Sequence, residues 1–183
     1  KARVMNAASR PMSEASRETF TAMNPGLPAA RPACDEFYTH EFEKAKASLK
    51  YIPDHRPMIE RLKSAGLRVV LATNPIFPLD GVRTRMAWVN LAPEDFGLVT
   101  WYDNSTFCKP NPKYYQEILG KIGAAPEECI MVGNSVSEDM AAGTLGMDVF
   151  LANEFVENPD SRDYSGYRQG SLDDAERYIL ENR

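Results

Sequence analysis

The feature that most constrains the fold is the alternation, from residue 67 onward, of short apolar runs with helical segments. The runs carry almost no charge and cover residues 67–72, 98–102, 129–132 and 149–151. Nearly continuous apolar runs of this length are typical of parallel strands that are buried on both faces. Helices are predicted between them, near residues 83–89, 113–122 and 138–145. Strands that alternate with helices through short connections predict an α/β fold with a parallel sheet and flanking helices.

The first 52 residues have a different pattern, which is helical and contains no strand signal. A helix is predicted over residues 13–23, followed by a proline-rich loop at 24–32. A second helix is predicted from residue 35, because one set of side chains recurs at helical spacing: Tyr38, Phe42, Ala45 and Leu49. We therefore expect a helical portion over residues 1–52 and an α/β core over residues 53–183, with further helices at 54–65 and 172–180.

Composition narrows the class of protein. The 183 residues include 21 Lys and Arg against 26 Asp and Glu, so the formal net charge is −5. A nucleic-acid-binding domain normally carries a basic stripe, so nucleic acid is not an expected partner. No run approaches the roughly 20 apolar residues of a membrane helix, so no membrane partner is expected. Three widely spaced cysteines, at 34, 108 and 129, form neither a metal motif nor a disulfide framework, which favours the reducing cytoplasm.

Polar residues follow the first two predicted strands. Ligands of parallel sheets bind beyond the carboxyl ends of the strands, so these residues are candidate site residues. Thr73 and Asn74 end the first strand and suit a phosphate oxygen, although both residue types are also common helix caps. Lys109 lies between the second strand and a predicted helix, with Pro110 and Pro112 stiffening its backbone. Its ammonium suits an anion, and a solvated lysine in a turn is the alternative.

The third predicted strand is followed by a turn that contains Asn134, Glu138 and Asp139. Their oxygens are the kind of ligand that Mg²⁺ takes, and a helix cap with acidic residues is the alternative. Taken together, a hydroxyl, a lysine and an acidic loop at successive strand ends are typical of a phosphoryl-transfer site.

Three motifs in chain order resemble motifs II, III and IV of the haloacid dehalogenase superfamily. They are LATN at residues 71–74, KPNPKYY at 109–115 and VGNSVSED at 132–139, within a resemblance that covers residues 53–155. The resemblance implies a Rossmann-like core and a Mg²⁺-dependent phosphatase acting on a small phosphorylated metabolite through a phospho-aspartyl intermediate. It implies that Thr73 binds the transferring phosphoryl group, that Lys109 stabilises its charge, and that Asn134 and Asp139 lie at the metal. Residues 1–52 would then belong to a helical cap.

Two departures from the family pattern matter. Motif IV usually begins with an aspartate where this chain has Asn134. In addition, no strand ending in Asp-x-Asp precedes Thr73, although the family's nucleophile lies there. Asp103 and Asp80 are the only substitutes considered, and both are predicted to be turn residues. We therefore expect this chain to be the carboxyl-terminal part of a longer protein, with the nucleophile and the first core strand upstream of residue 1, and the chain as given to be inactive. A separate peptide or chain that supplies this segment is one alternative, and its loss by proteolysis is another.

Two other functions stay open at this point. The first is a non-catalytic phosphate-binding or regulatory module on the same fold, which Asn134 favours. The second is a receiver domain of signalling proteins, which also carries a threonine and a Lys-Pro pair at strand ends. A receiver requires an acid pair and a phosphorylated aspartate before its threonine, and these are missing from the sequence.

Overall fold

The computed structural model describes residues 36–183. The predicted helix at residues 13–23 and Cys34 lie outside the described residues, and what was expected of them stays a prediction. The chain divides into two compact units, of which the first ends at Cys108 and the second runs from Lys109 to Arg183. The boundary expected from the sequence, between residues 52 and 53, falls inside the first unit.

Over residues 36–108, the first unit combines two α-helices with a two-stranded parallel sheet. Its elements are α1 (Arg56–Ser64), β1 (Val70–Leu71), α2 (Leu79–Trp88), a 3₁₀ turn (Pro93–Asp95) and β2 (Leu98–Val99). The two strands run parallel, with Leu71 opposite Val99. Val82, Met86 and Val99 form a buried core, and Leu71 packs against it. This packing of α2 on the sheet fixes the strand that leads to Thr73.

A helical segment precedes these elements. It consists of a π-helical turn (Phe37–Glu41) and a 3₁₀ helix (Phe42–Ser48). Tyr38 and Phe42 contact each other edge to face at 5.2 Å between ring centroids. Phe42 also contacts Phe77 at 6.3 Å and Trp88 at 5.4 Å. The aromatic residues that predicted a helix face are therefore the ones that pack on α2. The assignment of the segment to a cap stays a prediction.

The second unit is a three-stranded parallel sheet with helices. Its elements are α3 (Pro112–Ile122), a 3₁₀ turn (Pro126–Glu128), β3 (Ile130–Gly133), a 3₁₀ helix (Met140–Leu145), β4 (Asp148–Ala152), β5 (Gln169–Gly170) and α4 (Leu172–Glu181). The strand order is β3-β4-β5, with Val132 opposite Phe150. Val136, Met140 and Leu151 form the buried cluster beside the ends of β3 and β4.

The sequence did not predict β5, because the stretch from residue 158 to 169 is polar and carries few apolar residues. The strand exists because its backbone completes the edge of β4. The amide of Leu151 donates to the carbonyl of Arg168 at 2.9 Å, and the amide of Asn153 donates to that of Gly170 at 2.8 Å. Backbone pairing of this kind leaves no apolar pattern to read.

The predicted Rossmann-like α/β class with parallel strands is confirmed. Among residues 36–183 the strands form two separate sheets, whereas the sequence predicted one. The helix predicted at 138–145 is a 3₁₀ helix over Met140–Leu145, and α2 begins four residues earlier than the predicted helix at 83–89. Within the described part of the chain, no helix has the length and hydrophobicity needed to cross a bilayer.

Asp95 ties the start of α1 to the turn before β2. Its carboxylate accepts the amide of Ala92 at 2.7 Å and the two guanidinium nitrogens Nη1 and Nη2 of Arg56 at 3.0 and 3.1 Å. The Ala92 amide, and after it Arg56, hold the pKa of Asp95 below its usual range. The carboxylate therefore stabilises the folded state above the unfolded pKa of about 3.9, and this contribution is lost as the pH falls through the lower folded pKa.

We expect Asp95→Asn to lower the free energy of unfolding by about 1–2 kcal/mol at pH 7, because it removes the bidentate pair with Arg56. The variant should also lose stability less steeply than the parent chain below about pH 4. Urea unfolding from pH 3 to 7 measures both. Asp80→Asn is the control, because Asp80 lies 3.8 Å from Arg83 in a pair that is more than half exposed, and it should change stability by less than about 0.5 kcal/mol. Equal effects of the two substitutions would contradict the assignment.

Candidate active site

A buried ion pair lies at the start of the second unit. The Nζ of Lys109 donates to the Oδ1 of Asp139 at 2.6 Å, and the two side chains are 8% and 7% exposed. Lysine and aspartate are almost never buried to this extent unless they are paired. The structure therefore brings together two of the residues that the sequence singled out separately.

The first turn of α3 determines where Lys109 lies. Asn111 caps this helix, because its side-chain oxygen accepts the amide of Lys113 at 3.0 Å, and Pro112 supplies the first helical residue. The ring of Tyr114 is fully buried, and its centroid lies 5.9 Å from the Lys109 ammonium. An aromatic face at this distance attracts a cation. The lysine is thus held by a carboxylate and supported by a ring.

The loop after β3 holds the carboxylate of Asp139, the partner of Lys109. The Oδ2 of Asp139 accepts the amide of Ser135 at 2.9 Å, and the Ser135 hydroxyl accepts the amide of Glu138 at 3.2 Å. A Cβ at Gly133 would lie 2.2 Å from the Oδ2 of Asp139, so this carboxylate packs where any other side chain would begin. Gly133 is therefore required by the close approach of Asp139.

Tyr115 is a site residue that sequence reasoning did not assign. It is 2% exposed, and its hydroxyl donates to the backbone carbonyl of Glu138 at 2.5 Å. It therefore links α3 to the residue that precedes Asp139. Burial, and after it the charge of Asp139, raises the pKa of Tyr115 far above its usual range. The signal in the sequence was its place in the KPNPKYY motif, in which only Lys109 was given a role.

Thr73 and Asn74 lie in the first unit, just beyond β1. The hydroxyl of Thr100 donates to the carbonyl of Thr73 at 2.7 Å, and the amide of Thr100 donates to the carbonyl of Leu71 at 3.0 Å. Thr100 is 1% exposed. It fixes the backbone that carries Thr73, and its position within the predicted strand at residues 98–102 did not single it out.

The two alternative aspartates are ordinary surface residues. Asp103 is exposed, in the turn after β2 that Asn104 stabilises by accepting the amide of Trp101 at 2.8 Å. Asp80 lies in the first turn of α2 beside Arg83, so its prediction as a turn residue was wrong. The sequence Leu79-Asp80-Gly81 is typical of a turn. In the structure these residues form the first turn of α2, which begins directly after Pro78 in its extended conformation.

The described residues do not form a Mg²⁺ site by themselves. Mg²⁺ is held by one or two carboxylates together with water and phosphate oxygens. Both oxygens of Asp139 already accept hydrogen bonds, and Asn134 brings no charge. Between residues 36 and 183 no three His, Cys, Asp or Glu side chains are grouped so that they could hold a metal ion. The assignment of Asn134 and Asp139 as metal ligands stays a prediction.

The family now follows from comparison with known proteins. A family model described as "Hydrolase: haloacid dehalogenase-like hydrolase" matches residues 3–145. The chain belongs to this family. The resemblance carried by the three motifs is thereby confirmed.

Relatives of this haloacid dehalogenase-like chain include phosphatases. It is 32% identical over 112 residues to the glyceraldehyde 3-phosphate phosphatase of Methanothermobacter thermautotrophicus, in a match that covers 58% of this chain and 46% of that protein. The structure resembles the HAD phosphatase from Thermococcus onnurineus, with a TM-score of 0.59 and 24% identity over 78% of this chain and 64% of that one. The chain thus spans about half to two thirds of the length of these relatives.

The same fold occurs in a solved structure that is described as a dehalogenase and not as a phosphatase. The L-2-haloacid dehalogenase from Xanthobacter autotrophicus has a TM-score of 0.56 and 17% identity to this chain, over 69% of this chain and 60% of that one. At this identity the likeness concerns the fold alone. Because one fold hosts several chemistries, the fold does not decide which bond is cleaved.

We expect Asp139→Asn to lower the free energy of unfolding by about 3 kcal/mol, because it leaves the Lys109 ammonium buried without a charged partner. In the double variant with Lys109→Met the loss should be smaller than the sum of the two single losses. Urea unfolding of the four proteins gives this coupling energy.

A matched control pair lies on the surface of α3. Lys121 donates to Glu117 at 2.7 Å, with side chains 35% and 19% exposed. The cycle of Lys121→Met and Glu117→Gln should give a coupling below about 0.5 kcal/mol. If the coupling energy of Lys109 and Asp139 is no larger than that of Lys121 and Glu117, the importance given to the buried pair is wrong.

Tyr115→Phe tests the link between α3 and the loop. We expect the substitution to lower the free energy of unfolding by about 1–2 kcal/mol at pH 7, because the Glu138 carbonyl loses its buried donor. Since the folded pKa of Tyr115 is raised, the parent chain should lose stability as the pH rises above the unfolded pKa of about 10, and the variant should lose less.

Absorbance at alkaline pH supplies the second readout for that substitution. In the native protein Tyr115, which is 2% exposed and whose pKa is raised by burial, should stay protonated. Tyr115→Phe should therefore leave the native tyrosinate absorbance unchanged. A native titration that loses amplitude in Tyr115→Phe would show that Tyr115 is accessible.

Proposed function

We propose that this chain is part of a phosphatase that hydrolyses a small phosphorylated metabolite. The observation that carries the proposal is the buried Lys109, held at 2.6 Å by Asp139 between two motifs of the family. A cation that is oriented before substrate arrives is worth far more than a mobile surface lysine, since no reorganisation is needed during the reaction. The match to a glyceraldehyde 3-phosphate phosphatase supports the phosphate monoester as substrate class.

In this proposal a carboxylate attacks phosphorus, the bond from phosphorus to the ester oxygen breaks, and the leaving oxygen takes a proton. Water then hydrolyses the phospho-aspartyl intermediate and releases inorganic phosphate. Lys109 has three N–H donors, of which Asp139 accepts one among the described residues, and it stabilises negative charge on the phosphoryl oxygens. Asp139 keeps the ammonium oriented. The hydroxyl of Thr73 binds a phosphoryl oxygen, and Thr100 positions Thr73 through its backbone.

We infer that the attacking aspartate lies upstream of residue 1, on a strand that completes the sheet. In support, β3 pairs with β4 alone among residues 36–183, so its second edge has no strand partner there. An open edge next to a buried core is a place where another strand adds. The carboxylates that Mg²⁺ requires would come from the same upstream segment, and without that segment the chain is inactive.

A non-catalytic phosphate-binding module is the second candidate. It is favoured by Asn134, which replaces a carboxylate of the family motif, and by the surface positions of Asp80 and Asp103. The same Lys109 and Asp139 would then bind an anion without cleaving it. The phosphatase and the binding module differ only in whether the bound phosphate ester is hydrolysed. An activity assay on one set of protein variants therefore distinguishes the two candidates.

The test compares the product of the whole reading frame with residues 1–183 alone, using a panel of small phosphate monoesters with and without Mg²⁺. We expect the longer protein to release inorganic phosphate and residues 1–183 to release none. Lys109→Met in the longer protein should lower kcat by about 100-fold or more, because it removes a preorganised charge at the phosphoryl group. Lys121→Met, on the exposed side of α3, should leave kcat within about twofold of the parent value.

Circular dichroism checks that each variant is folded. Phosphate binding without turnover by the longer protein would favour the binding module. Release of halide from 2-haloacids, rather than of phosphate from esters, would contradict both candidates.

A further inference from the structure

Asn134 has a hydrogen bond that the family's aspartate cannot make. Its side-chain amide nitrogen Nδ2 donates to the backbone carbonyl of Phe155 at 2.6 Å. A carboxylate is only an acceptor when it is ionised, and a carbonyl is only an acceptor as well. An aspartate at position 134 would therefore replace an attraction by a repulsion.

The backbone around Asn134 strengthens this contact. The amide of Glu157 donates to the carbonyl of Asn134 at 2.8 Å, and the amide of Val136 donates to the carbonyl of Glu157 at 3.0 Å. Ser135 and Glu157 form an isolated parallel bridge. Three hydrogen bonds therefore join residues 134–136 to residues 155–157, and only the first depends on the side chain.

The segment that is held in this way carries two very different side chains. Val156 packs against the buried cluster of Val136, Met140 and Leu151, whereas Phe155 is 78% exposed. An exposed phenyl ring contributes little to holding its own backbone. The side-chain amide of Asn134 donates to the carbonyl of Phe155. It therefore holds the part of the segment that side-chain packing does not hold.

Charge gives a second argument against an aspartate at this position. The loop from Asn134 to Asp139 already contains the carboxylates of Glu138 and Asp139, and Lys109 pairs with Asp139 at 2.6 Å. A third carboxylate at position 134 would add like charge to the loop, which the neutral asparagine does not.

We propose that Asn134 is a positioning residue that latches the segment 155–157 to the end of β3 through its side-chain amide. The Phe155 carbonyl must face a donor, so the amide nitrogen is directed to the segment. The latch is a property of the second unit and does not depend on phosphatase activity.

Three variants test this: Asn134→Ala removes the donor, Asn134→Asp replaces it by a charge, and Asn182→Asp is the matched control. Asn182 also donates its Nδ2 to a backbone carbonyl, that of Tyr178 at 2.8 Å, but at the exposed end of α4. Amide hydrogen exchange is read at Glu157 and Val136. We expect Asn134→Ala and Asn134→Asp to accelerate exchange there by about fivefold to tenfold, and Asn182→Asp to leave it unchanged.

Unchanged exchange in Asn134→Ala would overturn the latch, even if the aspartate variant exchanges faster through repulsion.

Discussion

The arrangement of the second unit depends on the buried ion pair between Lys109 and Asp139. Removing an ammonium and a carboxylate from water costs several kcal/mol for each ion, and close contact offsets this only when the other hydrogen-bonding positions are also satisfied. Here the separation is 2.6 Å, and the Ser135 amide holds the second oxygen of Asp139. Neither partner can move alone without leaving a buried charge. The end of β3 and the start of α3 are therefore fixed to each other.

The surrounding residues are best understood as supports for this pair. The Tyr115 hydroxyl holds the carbonyl of Glu138 by a hydrogen bond, and Gly133 leaves room for the carboxylate of Asp139. The Tyr114 ring lies beside the Lys109 ammonium. The pair of Lys109 and Asp139 and the contact of Tyr115 with Glu138 join residues that are 30 and 23 positions apart in the chain. A charge held in this way is ready for an anionic ligand before the ligand arrives.

How much could be predicted from the sequence depended on whether a feature is local. The apolar runs predicted β3 and β4, and the helix predicted at residues 113–122 is α3, which the structure caps locally with Asn111 at its start and Gly123, at φ 61°, at its end. The candidate residues Lys109 and Asp139 were found from their motifs. Their direct pairing was not, because each was read as a ligand-binding residue and charge balance in a buried site is a property of the folded chain.

The features that sequence reasoning missed are those formed by the backbone or by distant contacts. The strand β5 exists through hydrogen bonds to β4 and has no apolar pattern, and the division into two sheets has no local signal. Thr100 and Tyr115 each act on a backbone carbonyl, which any sequence supplies. Such contacts depend on where a carbonyl lies in space, so no spacing of residue types along the chain predicts them.

Asn134 connects the departure from the family motif to the geometry of the loop. With an aspartate at this position, the loop would hold a third carboxylate beside Glu138 and Asp139 and would lose the donor to Phe155. With asparagine, the loop gains no further charge, and the side-chain amide donates to the Phe155 carbonyl. The loss of a charge and the gain of a hydrogen bond are therefore two consequences of one substitution. Because this hydrogen bond lies within the chain, the loop is joined to the segment 155–157 by a side chain as well as by the backbone.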